Sequence, residues 1–239
     1  MTELLFAVPS KGRLESAIRE KFAALGLAIE RPGGARAYQG SIAALPGIAL
    51  RFFSATEIAR ELVRGTVHVG VTGEDTVHEA ARNGASQVIL ATPLGFGYAD
   101  VVIAIPDAWV DVNSIADLAD VATDFRHRHG RWLRVATKYV NLTRRFFAAH
   151  GIAEYRIVES LGATEAAPAS GAAELIVDIT STGATLRANG LRVPEGGTIL
   201  KSQANLAISR AASWDSARRA ALARLLDAVE KGLGSRVRV

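Results

Sequence analysis

The chain of 239 residues has no cysteine. Disulfides, thiol nucleophiles and cysteine-ligated metals are therefore excluded. Aromatic residues make up only 6%. They form no stripe beside the basic residues on which single-stranded bases could stack, so nucleic acid is not an expected partner. No run approaches the ~20 apolar residues of a membrane helix, so no membrane partner is expected. The first apolar run, Leu4 to Val8, is short and follows Glu3 rather than a basic segment. It does not read as a signal peptide, and a cytoplasmic location is expected. The histidines His127 and His129 lie in an Arg-rich stretch, Arg126 to Arg134, without a carboxylate cluster. They read as solvated surface rather than a metal site.

What is present fits a soluble globular protein. Hydrophobic residues reach 49% and charged residues 22%, enough for a sizeable core under an ordinary surface. The net charge is +4 and the sequence pI about 9.7. A mild, scattered basic excess favours small phosphorylated ligands over a nucleic-acid track.

Leu4 to Val8 reads as a buried strand, Pro9 to Arg13 as a turn and Leu14 to Leu25 as a helix. Short strands follow at Tyr38 to Ala43 and Ile48 to Phe53, then a helix from Glu57 to Arg64 and a strand from Val67 to Val71. The alternation restarts near residue 92, with strands at Val101 to Ile105, Leu133 to Ala136, Tyr155 to Val158 and Leu175 to Ile179. Helices are expected at Ile115 to His127, Leu142 to His150 and Glu165 to Ser170. The expected fold is α/β, with two lobes, mainly parallel sheets and a ligand cleft between the lobes. The first lobe would comprise residues 1–92 and 184–239, the second 93–183.

The strongest chemical signal is Ile176-Val-Asp-Ile-Thr-Ser-Thr-Gly-Ala-Thr185. A strand feeds a loop rich in hydroxyls that opens a helix near Ala184. Thr180, Ser181, Thr182 and Thr185 offer hydroxyl donors, and Gly183 lets a phosphate approach the backbone. Asp178, at the strand end, suits ribose hydroxyls or the water shell of a Mg²⁺ ion. The bland alternative is a Ser/Thr-rich helix cap.

This segment resembles the phosphoribosyl-pyrophosphate loop of phosphoribosyltransferases. Many of those carry two adjacent acids, whereas here Val177 precedes Asp178. Asp178, Gly183, Thr185 and Leu186 match the pattern of the ATP phosphoribosyltransferase family. Pro9-Ser-Lys-Gly-Arg13 resembles that family's first-strand turn, and Gly65 to Asp75 its glycine-rich segment, with His68 where relatives usually have Asp. Ala136 to Thr143 and Glu159 to Pro168 complete the resemblance. Relatives often carry a basic residue where Ser54 stands.

The resemblance implies transfer of the phosphoribosyl group of phosphoribosyl pyrophosphate to N1 of ATP, the first step of histidine biosynthesis, with Mg²⁺. It implies phosphoribosyl-pyrophosphate binding by Asp178, Thr180, Ser181, Thr182, Gly183, Ala184 and Thr185. ATP would meet Ser10, Lys11, Gly12, Arg13, Gly73, Glu74 and Asp75. Lys11, Arg13 and Arg36 would face phosphates, and Glu159 and Glu165 the ribose or adenine. The family match is expected to end near Leu206. The tail then reads as one amphipathic helix, Ser213 to Gly232, with a basic end at Arg236 and Arg238. That resembles the short form of the family and implies a homodimer assembling with a regulatory subunit similar to histidyl-tRNA synthetase. Two alternatives stay open. One is a small-molecule binding protein, since periplasmic binding proteins share the two-lobed architecture. The other is another phosphoribosyltransferase.

Overall fold

The computed structural model describes residues 3–81 and 87–233, so Arg236 and Arg238 lie outside the described residues. The chain forms two compact units, Met1–Tyr98 with Gln203–Val239, and Ala99–Ser202.

The first unit runs through β1 (Leu4–Pro9), α1 (Gly12–Ala24), β2 (Ile29–Glu30), β3 (Gln39–Ile42), β4 (Ile48–Phe53), α2 (Ala55–Arg64), β5 (Val69–Gly73), α3 (Glu74–Ala80) and β6 (Val88–Pro93). In the second unit follow β7 (Ala99–Pro106), α4 (Ile115–His129), β8 (Leu133–Thr137), α5 (Val140–Ala149), β9 (Tyr155–Glu159), β10 (Leu175–Thr180), α6 (Ala184–Ala188), β11 (Leu191–Arg192) and β12 (Thr198–Ser202). The chain then re-enters the first unit with β13 (Ala204–Ser209) and α7 (Ser216–Leu233).

The first sheet has the order β2-β3-β4-β1-β5-β13-β6. Strand β1 shows why it sits in the middle. Leu4, Phe6 and Val8 point to one face, where they meet Ile18 and Phe22 of α1 and Ala221, Leu225 and Val229 of α7. Leu5 and Ala7 point to the other, against Ile58, Ala59 and Leu62 of α2 and Val77 of α3. Period-two alternation with both faces apolar is what a strand covered on both sides requires. Helix α2 starts at a capping box between Ser54 and Glu57 and stops at Gly65, at φ 77°. A Cβ on Gly70 of β5 would lie 2.5 Å from Ile58 Cγ2, so glycine permits the close approach of α2.

His68 is 4% exposed and fully used. Its Nδ1 accepts the Leu5 N–H at 3.1 Å, and its Nε2 lies 3.2 Å from the Ser213 carbonyl oxygen. A carbonyl can only accept, so the proton sits on Nε2 and the ring is neutral. Trp214 packs edge-on at 5.2 Å. Burial, followed by the nearby Arg218 charge, pushes the His68 pKa down. His68 thus ties β1 to the segment that leads into α7.

The second sheet has the order β11-β7-β10-β8-β9, with β12 also on β7. Val101, Ile103 and Ile105 of β7 face α4 and α5, while Val102 and Ala104 face Leu186 of α6. Glu174, just before β10, clamps that strand to β8. Its carboxylate accepts the Arg134 backbone N–H at 2.7 Å, Arg134 Nη2 at 2.7 Å and Arg131 Nη2 at 3.0 Å. Burial alone would raise its pKa, but the two arginines and the backbone N–H outweigh it and hold it at about 2.

The α/β class stands, with one difference. The sheets are mixed rather than mainly parallel: β4-β1-β5 and β9-β8-β10 run parallel, and the remaining pairings are antiparallel. Return to the first unit comes at Gln203, not near residue 184, because β11 and β12 both pair with β7. The helix expected at Glu165 to Ser170 is only a 3₁₀ turn, Thr164–Ala166. Pro168 has no N–H to give the Thr164 carbonyl, so an α-helical ladder cannot propagate.

Candidate functional site

In the second unit the site residues gather at the carboxyl ends of the parallel strands, where open α/β sheets bind ligands. Asp178 lies on β10, half-buried, with Oδ1 accepting the Ile179 N–H at 2.8 Å. The loop after β10 is organised by its own hydroxyls. Thr180 Oγ1 accepts the Gly183 N–H at 2.9 Å, and Thr182 Oγ1 accepts the Ala184 N–H at 3.3 Å. Each hydroxyl still has its proton to donate outward. Gly183 adopts φ 72°, in the left-handed region that glycine occupies at no steric cost. Ser181, Thr182, Ala184 and Thr185 are exposed. Helix α6 spans 5 residues. Its dipole therefore adds little, and the hydroxyls carry the case for an anion.

Glu159 closes β9 and is exposed, and its register partner on β8 is Thr137. Glu165 is half-buried in the 3₁₀ turn Thr164–Ala166. That turn begins at Ala163, whose φ of 49° is the one positive value for a non-glycine among the described residues. Thr164 is buried and donates to Ser160 Oγ at 3.0 Å, which fixes the turn above β9.

Two cations at these strand ends carry no role in the sequence reading, although Lys138 falls in the Ala136 to Thr143 segment of the resemblance. Lys138 Nζ lies 3.5 Å from Asp178 Oδ1. Arg187 Nη2 donates to the Thr182 carbonyl at 3.2 Å, and its guanidinium lies where a side chain on Gly183 would be. That guanidinium is the movable end of a flexible side chain, so it is the φ of 72° that calls for glycine at position 183.

In the first unit Ser10, Lys11 and Gly12 line a pocket of about 510 Å³ with Glu15, Arg19, Arg31 and Gly34. Its floor is built by Arg31, which stacks 4.1 Å above the Phe52 ring and donates to the carbonyls of Ala37 at 2.8 Å and Ser10 at 3.1 Å. Arg19 pairs with Glu15 and reaches the Ile29 carbonyl at 3.0 Å. Arg13 is exposed beside this pocket in sequence but does not line it, and neither does Arg36, exposed in the turn Gly34–Arg36. Gly73, Glu74 and Asp75 form the junction of β5 and α3. Glu74 N–H donates to the Gln203 carbonyl at 3.1 Å, His78 Nε2 lies 3.5 Å from Glu74 Oε1, and Asp75 is buried. Ser54, where the family resemblance implies a cation, caps α2. Arg31 was missed because its role depends on Phe52, which is distant in sequence.

An α/β chain with a hydroxyl loop at the strand ends and an arginine-lined pocket is suited to phosphorylated small molecules. Comparison with known proteins narrows that class. The ATP phosphoribosyltransferase family model matches residues 54–231. An ATP phosphoribosyltransferase of Nitrobacter winogradskyi is 57% identical over 95% of this chain and 70% of its own length. That of Afipia carboxidovorans is 59% identical over 89% of this chain and 66% of its own. The fold matches an ATP phosphoribosyl transferase (HisG:HisZ) complex from Thermotoga maritima at a TM-score of 0.71, with 24% identity over 97% of this chain and 98% of that one. A probable amino-acid ABC transporter extracellular-binding protein of Bacillus subtilis matches at 0.51, with 11% identity over 98% of this chain and 92% of that one. The chain belongs to the ATP phosphoribosyltransferase family, pentosyl-group transferases that open histidine biosynthesis. The family match extends through residue 231, past the limit expected near Leu206, so most of α7 is part of the family fold.

Proposed function

We propose that this chain joins ATP to phosphoribosyl pyrophosphate, with the loop from Asp178 to Thr185 holding the phosphoribosyl group. The loop geometry supports this reading most. Thr180 and Thr182 are fixed by accepting backbone N–H groups, and their O–H protons remain for a 5-phosphate. Asp178, at the strand end, takes the ribose hydroxyls. Glu159 and Glu165 serve the ribose or adenine side. Ser10, Lys11 and Gly12, with the pocket beside them, serve the ATP phosphates, and Arg13, Arg36, Gly73, Glu74 and Asp75 belong to the same substrate's surroundings.

The reaction makes one bond and breaks one. Adenine N1 supplies its lone pair to C1 of the ribose, and the C1–oxygen pair departs with pyrophosphate. A ring nitrogen needs no activated serine or cysteine. Positive charge grows at C1 while negative charge grows on the leaving group. Positioning of the two substrates can account for ~7–11 kcal/mol of the barrier, and cations near the leaving oxygens supply the electrostatic part.

The residues fit Mg²⁺ carried on the substrate rather than a dedicated metal site. Among the described residues no group of three or more His, Asp or Glu is placed to hold a metal. Asp178 offers one half-buried carboxylate, as suits an ion that keeps its waters and takes most oxygens from phosphates. When bound, Mg²⁺ would neutralise pyrophosphate charge, with Asp178 reaching its water shell.

The same reading includes a cytoplasmic homodimer that works with a separate regulatory subunit similar to histidyl-tRNA synthetase. The description of the Thermotoga maritima protein as a HisG:HisZ complex supports the part of this reading that calls for a second kind of subunit. The curated relatives' greater length favours regulation by a further domain in a longer chain as the second reading. No described helix is long and apolar enough to cross a membrane. Activity is tested by supplying ATP, orotate or a purine base with phosphoribosyl pyrophosphate and Mg²⁺. Consumption of ATP alone fits the proposal, and consumption of orotate or the base instead overturns it.

A further inference from the structure

We propose that Lys138 is a binding residue for the phosphoribosyl donor. This rests on the reading of the Asp178–Thr185 loop given above. Lys138 follows β8 directly. Because Val177 pairs with Thr137 across parallel strands, the next residues, Asp178 and Lys138, emerge side by side. Their side chains form a loose ion pair, Nζ to Oδ1 3.5 Å, with Lys138 41% and Asp178 19% exposed.

The backbone around Lys138 is pinned while its side chain is not. Thr137 is fully buried; its Oγ1 accepts the Tyr139 N–H at 2.8 Å and its carbonyl accepts the Ser160 N–H at 3.0 Å. The ammonium lies 5.2 Å from the Tyr139 ring centre, a weak contact that a phosphate oxygen can outcompete.

Charge balance requires such a group. Phosphoribosyl pyrophosphate is a polyanion, yet Asp178, Glu159 and Glu165 bring three carboxylates to these strand ends. Lys11, Arg13 and Arg36 belong to the other unit. Arg187 donates to the Thr182 carbonyl at 3.2 Å and pairs with no carboxylate among the described residues. Lys138 remains as the cation whose partner is itself a proposed ligand group. When the donor arrives, Lys138 exchanges Asp178 for a phosphate oxygen, and Asp178 is released to the ribose hydroxyls. In the empty state the same pair offsets the Asp178 charge, which lessens the repulsion of the incoming anion.

The test is calorimetric titration of the full chain with phosphoribosyl pyrophosphate alone, for Lys138→Met, Lys138→Gln, Lys138→Arg and Thr182→Val. Loss of a charge-assisted contact should weaken the donor about 10- to 100-fold in the Met and Gln variants. Arg should restore most of the loss, and the salt dependence of binding should be shallower in Met and Gln than in the parent chain. Melting temperatures should stay close to the parent's, because the side chain is largely solvated. Parent-like affinity in Lys138→Met while Thr182→Val binds weakly overturns the Lys138 role and leaves the loop reading intact. Weak binding in all three Lys138 variants with a lowered melting temperature also overturns it, since Lys138 would then only support Asp178. No donor binding by the parent chain overturns both.

Discussion

Glu174→Gln removes one charge from the clamp that sets β10 against β8, and its cost can be worked from the contacts. The carboxylate accepts from the Arg134 backbone N–H, the Arg134 guanidinium and Arg131. These contacts outweigh burial and bring the pKa from 4.5 to about 2. A shift of that size corresponds to at most ~3.4 kcal/mol at ~1.36 kcal/mol per unit. Arg131 and Arg134 are 47% and 31% exposed, so water screens part of the attraction. We expect a loss of about 1.5–2.5 kcal/mol, or a melting temperature lower by roughly 4–8 °C. The sign of the pH dependence follows from the depressed pKa. The native state holds the charged form more tightly, so the stabilisation is complete above the unfolded value near 4.5 and disappears as pH falls towards 2. Calorimetric melting of both chains from about pH 7 down to about pH 3 checks this. A gap between the two chains that is absent at neutral pH, or that stays constant into acid, would refute the reasoning.

Thr182→Val should weaken phosphoribosyl-pyrophosphate binding by roughly 1.5–3 kcal/mol with little change in melting temperature. Thr180→Val should weaken binding and also lower the melting temperature, because half-buried Thr180 accepts the Gly183 N–H at 2.9 Å whereas exposed Thr182 accepts the Ala184 N–H at 3.3 Å, and denaturation curves separate the two variants. Lys11→Ala should weaken ATP binding measured by titration, and parent-like affinity would remove Lys11 from the site. His68 has a lowered pKa, so the unfolded chain takes up its proton first and stability should fall as pH drops below about 6.5. Melting curves of His68→Gln should lack that component. Histidine added to the isolated chain should neither bind tightly nor inhibit, and tight inhibitory binding would contradict a separate regulatory subunit.

Much of this architecture was legible in the sequence because its strands and helices carry strong local periods. The apolar runs of β1, β8 and β10 and the capped helices α2 and α4 announce themselves within a few residues. Strands β11 to β13 did not. Strands β11 and β12 hold few apolar residues, and all three strands are set by antiparallel pairing with β7, β5 and β6 far away in sequence. The hydroxyl loop was readable because its chemistry lies in consecutive residues. The pairing of Lys138 with Asp178 and the place of Arg31 were not, because the register of β8 against β10 sets one and the Phe52 ring the other. The shortness of the helix that opens at Ala184 was not legible either, since sequence gives a helix start more readily than its length.

The central claim is that this chain moves a phosphoribosyl group from pyrophosphate to N1 of ATP. It is tested most directly by following carbon label at C1 of phosphoribosyl pyrophosphate during turnover with unlabelled ATP and Mg²⁺. Label should appear attached to adenine N1 in phosphoribosyl-ATP, with one pyrophosphate released per adduct. Recovery of the label as free ribose phosphate, or on a nucleobase while ATP is untouched, would contradict it.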